Sequence, residues 1–150
     1  MFGKKFSEYI RFQRLILALI AVVWLARLVL PLVGMSSLAR WTSINIVLLA
    51  GLVYYAVAVH TGGFGSYKQL LGLLFIQTGL AHILIAFGIM LGILTGTPNM
   101  YTAPEFFGGN DGANWIHVAL HLVAVFILPL FGWLFASLIL FITRKLKPGI

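Results

Sequence analysis

The segment YKQLLGLLFIQTGLAHILIAFGIMLGILTG, residues 67–96, decides the fold: after Lys68 it holds no charged residue. A hydrocarbon core about 30 Å thick is crossed by about 20 apolar helical residues, so this stretch spans a bilayer with length to spare and must tilt or extend beyond the lipid. Its small residues are patterned. Gly72, Gly79 and Ala86 recur every seven residues, and Gly88, Gly92 and Gly96 every four. Such stripes let backbones approach closely, which predicts helix packing within the chain or self-association between copies through these faces.

Three further apolar stretches surround this one, at residues 15–33, 43–60 and 113–143. Of 150 residues, 61% are hydrophobic and 9% charged, where an ordinary soluble domain carries about a quarter charged. The expectation is an all-α integral membrane protein: a single four-transmembrane-helix bundle over residues 1–150, with short loops and one longer outer loop at about 97–112.

The net charge of +7 does not point to nucleic acid. Lys4, Lys5, Arg11 and Arg14 precede the first span, Lys68 begins the third, and Arg144, Lys145 and Lys147 follow the fourth. The opposite side carries Arg40, Glu105 and Asp111. By the positive-inside bias both termini are cytoplasmic and the acidic loop faces outward, which predicts a multi-pass protein of the plasma (inner) membrane. The chain has no cysteine, which excludes disulfides, thiolate metal sites and iron–sulfur ligation by its own residues.

Residues 1–14 read as a short interfacial lead-in, with Phe2, Phe6 and Tyr9 on one face. The run that follows is long enough for a retained signal-anchor helix. Within it stands Arg27, with Pro31 four residues later. An intramembrane arginine costs at least a few kcal/mol, so it either faces a partner or snorkels to the headgroups. Residues 34–41 read as a loop, Gly62 to Gly65 as a tight link, and His60 as an interfacial residue. Asp111 or Asn114 is placed to cap the fourth helix.

Polar residues gather by depth on this topology. His117 and His121 stack one turn apart near the outer end of the fourth helix, His82 lies near the middle of the third with Thr78 one turn away, and Arg27 and Asn45 reach the same half. A polar site in the outer half, formed by Arg27, His82, His117 and His121 under the 97–112 loop, is the expectation.

Four functions compete for this site. The leading one is a small accessory or assembly subunit of a larger membrane complex, not an enzyme by itself, in contact with lipid and with other membrane subunits. The second is a haem b or other tetrapyrrole-binding redox subunit, with His82 and His121 as axial ligands, His117 nearby and Arg27 toward the propionates. The third is a metal-dependent membrane enzyme or carrier, with zinc or copper held by His117, His121, His82, Glu105 and Asp111. The HxxxH spacing lacks the glutamate of the zinc-protease motif. Small-solute transport or proton relay by Arg27 and the histidines completes the set.

Overall fold

The computed structural model describes residues 1–106 and 112–147. It is all-helical, with no strand among the described residues. The elements are α1 (Phe6–Leu32), α2 (Ser36–Trp41), α3 (Ile44–Thr61), α4 (Tyr67–Thr95) and α5 (Trp115–Leu146), with a 3-10 turn at Pro104–Phe106. Four helical stretches, α1, α2 continued by α3, α4 and α5, are long and apolar enough to cross a membrane. This is a multi-pass membrane architecture. Outward side chains such as Leu15, Phe126, Phe135 and Leu138 are exposed on the bundle surface, where lipid is their natural solvent.

The bundle has two distinct ends. At one, Gln69 Nε2 donates to the Phe2 carbonyl at 2.6 Å, and His60 Nε2 lies 2.9 Å from the Lys147 carbonyl. Both chain termini and the α3–α4 turn therefore meet there, and we call it the termini end. His60 closes that end, away from the other histidines, in keeping with an interfacial role. The opposite, loop end carries α2 and the connection from α4 to α5.

α4 is the hub. Leu70, Leu73, Leu74, Ala81 and Ile89 are buried on it, together with Gln77, Thr78 and His82. Helices in lipid gain little from the hydrophobic effect, so close van der Waals packing has to hold them. The glycine stripes supply it inside the chain. A Cβ at Gly72 would come 2.7 Å from the Tyr9 ring of α1, one at Gly88 2.6 Å from the Tyr101 ring, and one at Gly92 2.6 Å from Thr102. Gly79 faces Val125 of α5 at an ordinary 3.8 Å. The faces expected to serve association between copies are thus largely filled by the chain itself. Gly96, at φ +65°, supplies the left-handed residue that ends α4.

Two local expectations change. The lead-in does not lie apart from the first span: α1 is one helix from Phe6 onward, because Tyr9 and Gln13 are buried between helices and hold the basic turn in line with the rest. Residues 34–41 are not a plain loop, since Ser36–Trp41 forms the short α2.

Candidate functional site: a histidine-lined cavity at the loop end

α5 begins where it does because Asn114 caps it, its side-chain oxygen accepting from the His117 amide at 2.8 Å. That start fixes the register of the next turns. His117 and His121, four apart, stack along one face with ring centroids 5.0 Å apart. His82 of α4 meets the deeper of the two, its ring centroid also 5.0 Å from that of His121.

The third wall comes from the loop. Asn99 Nδ2 donates to the Gly88 carbonyl at 2.8 Å, and Asn99 Oδ1 accepts from the Tyr101 amide at 2.8 Å. The loop is thereby pinned along the last turns of α4, with Tyr101 pressed into the Gly88 notch. Tyr101 is buried, and burial pushes its phenol up to about 12 against the opposing pull of the Arg27 guanidinium. Arg27 stands over the Tyr101 ring at 5.5 Å and donates to the carbonyl of Thr42, which belongs to the α2–α3 connection. Arg27 therefore meets partners within the bundle.

These elements enclose a half-open cavity of about 450 Å³, lined by Arg27, Asn45, His82, Tyr101, His117 and His121 with Ile85 and Leu128 among its apolar walls. All four residues expected at the site, Arg27, His82, His117 and His121, line this one cavity. Glu105 sits exposed in the 3-10 turn, and Asp111 lies outside the described residues.

The ring nitrogens form a chain. His82 Nδ1 lies 2.8 Å from His121 Nδ1, His121 Nε2 lies 3.3 Å from His117 Nε2, and His117 Nδ1 lies 2.9 Å from the Gly112 carbonyl. With all three rings neutral, one end decides every tautomer, because a carbonyl can only accept. His117 must donate through Nδ1, His121 through Nε2 to His117, and His82 through Nδ1 to His121. His82 Nε2 is left as an acceptor, with no hydrogen bond inside the described chain.

This arrangement does not fit a haem clasp. Two imidazoles across one iron would stand about 4 Å apart, nitrogen to nitrogen, at a metal–imidazole bond of about 2 Å. The 2.8 Å contact between His82 and His121 leaves no gap for a macrocycle. Nor do the rings form a metal cup: His121 turns one nitrogen to His82 and the other to His117, so the three cannot converge on one ion. Among the described residues no group of three His, Asp or Glu side chains is placed to hold a metal.

Tyr101 was missed as a site residue in the sequence, where the only signal was the surplus of aromatic residues in a loop. Deeper in the bundle, Gln13, Tyr55 and Gln77 are nearly fully buried and keep polar atoms without a hydrogen-bond partner among the described residues. Their mark in the sequence is a polar residue spaced along an otherwise apolar helix. Compared with protein-family models, with curated proteins and with solved structures, the chain matches none.

Proposed function

We propose that the protein is a small accessory subunit of a larger membrane assembly, lying in the cytoplasmic membrane with both termini cytoplasmic. Its own contribution is the polar cavity in the outer half of the bilayer, with histidines that serve as hydrogen-bonded imidazoles and not as ligands. The observation that carries this reading is the convergence of Arg27, His82, His117 and His121 on one cavity of about 450 Å³, with the nitrogens of the three imidazoles directed to one another. The orientation follows from the basic residues: all Lys and Arg except Arg27 and Arg40 lie toward the termini end.

The test is purification from the native membrane into lipid nanodiscs, followed by native mass spectrometry and an absorption spectrum of the same sample. The expected result is the chain at a fixed ratio to one or more other membrane subunits, without a Soret band. A chain that is always recovered alone sinks the accessory reading. A Soret band lost on His82→Ala substitution would restore the haem reading in its place.

A further inference from the structure

From the polar cavity and the apolar groove that adjoins it, we propose that the protein binds an isoprenoid quinol, its dihydroxy ring held between Arg27 and His82 and its tail lying between α3 and α5. The inference rests on the reading of the three rings as hydrogen-bonded imidazoles and gives that site a ligand. It assigns no electron transfer to the chain.

The head site suits a ring with an oxygen at each end. His82 is only 7% exposed and lines the cavity, yet its Nε2 has no hydrogen bond among the described residues. With Nδ1 donating to His121, that nitrogen accepts, and an O–H donor satisfies it. Arg27 lines the same cavity and carries five N–H donors, of which Nη1 is given to the Thr42 carbonyl. It stands over the Tyr101 ring wedged at Gly88, six residues from His82 along α4, or about 9 Å at the helical rise. An aromatic ring bearing two para oxygens, with a hydrogen bond at each, spans about 11 Å. One ligand can therefore meet both residues.

The tail site adjoins it. Leu48 and Leu128 line both the polar cavity and a second one of about 190 Å³, which continues between α3 and α5 past Leu52, Pro129 and Gly132. Gln77 and Thr78 are the only polar residues along it. Leu49, also in its wall, is 63% exposed and Leu128 45%, so the groove opens sideways on the bundle surface. A ligand dissolved in lipid enters by that side.

A phospholipid head suits the site less well. Its phosphate oxygens would face the lone pair of His82 Nε2, while the Arg27 charge is already met by the Thr42 carbonyl and the Tyr101 ring. Depth argues the same way. Arg27 stands five residues inside the end of α1, about 8 Å, and His82 thirteen inside the end of α4, about 20 Å. A neutral head that dissolves in hydrocarbon belongs at such a level. The acceptor on His82 also separates the two redox forms of the ligand, because an oxidised quinone would set a carbonyl against it. The reduced form binds more tightly.

The experiment places the full chain in phosphatidylethanolamine/phosphatidylglycerol nanodiscs, adds decylubiquinol under argon or its oxidised form, and measures the probe retained above that on empty discs. Wild type should saturate near one quinol per chain and hold the quinone about tenfold more weakly, the worth of one buried hydrogen bond. His82→Phe should weaken the quinol by about the same factor. Leu128→Trp, at a half-exposed position where the two cavities join, should block the tail without touching the ring chain, and His60→Ala should bind as wild type does. Circular dichroism and gel filtration establish that each variant is folded. Retention no greater than on empty discs overturns the inference, as does equal retention of quinol and quinone. A phosphatidylglycerol held at one per chain and not displaced by the quinol overturns it in favour of a phospholipid site. Native mass spectrometry from the protein's own membrane separates the two readings. Partner subunits without a quinol sink the ligand alone, and a quinol on a chain recovered alone sinks the subunit reading while the ligand stands.

Discussion

Tyr101 occupies the space that a side chain at position 88 would need: a Cβ on Gly88 would stand 2.6 Å from its ring. The loop is thus keyed to the backbone of α4. Gly88→Leu should expel Tyr101, destabilising the protein by about 1–3 kcal/mol and opening the cavity wall. Gly79→Ala, with only Val125 at 3.8 Å, should be close to neutral. Unfolding in mixed micelles measures both, and equal stability of the two variants would contradict the wedge.

The raised Tyr101 pKa has a definite pH signature. Its ordinary value is 10.0 and burial lifts it to about 12, so the fold disfavours the phenolate. The stability it contributes is complete below pH 10 and is lost as pH rises through about 12. Thermal unfolding of wild type should therefore fall more steeply across this window than that of Tyr101→Phe. Parallel curves would show that Tyr101 is not buried.

Arg27 holds the α2–α3 connection through the Thr42 carbonyl while its plane lies over Tyr101. Arg27→Gln removes the charge-assisted bond and should cost about 1–3 kcal/mol. Arg27→Lys should recover only part of this, since an ammonium lacks the planar face that stacks on the ring. A Gln variant as stable as wild type in the same micelle assay would mean that the guanidinium sits in the headgroups instead.

The absence of cysteine makes orientation simple to read. In intact cells a membrane-impermeant maleimide should label Glu105→Cys and leave Ser66→Cys and Lys147→Cys unmodified until the membrane is broken. The reverse pattern would invert the topology proposed from the basic residues.

The spans were legible because crossing lipid imposes a length and a composition that no other constraint mimics. The meeting of Arg27, His82, His117 and His121 was legible for a related reason: once four spans are placed, depth follows from residue count. Tyr101 was not, since its position depends on a notch made by glycines on another element. Tyr9 and Gln13 were misplaced because a basic, half-polar stretch resembles an interfacial one, and only their burial between helices distinguishes the two. The ring chain was beyond reach, because spacing puts histidines near one another without saying which nitrogen faces which.

The central place of α4 also bears on how the protein is made. Synthesis delivers α1 and α3 to the membrane first, yet Tyr9 packs at Gly72 and Gly51 faces Gln77, both on a helix still to come. The two early spans must therefore wait in lipid without the α4 face that both pack against. The loop can seat Tyr101 only after α4 is in place, and the last histidines arrive with α5. A chain interrupted before residue 67 would leave Tyr9 and Gly51 without the α4 surfaces, Gly72 and Gln77, that they meet in the finished bundle.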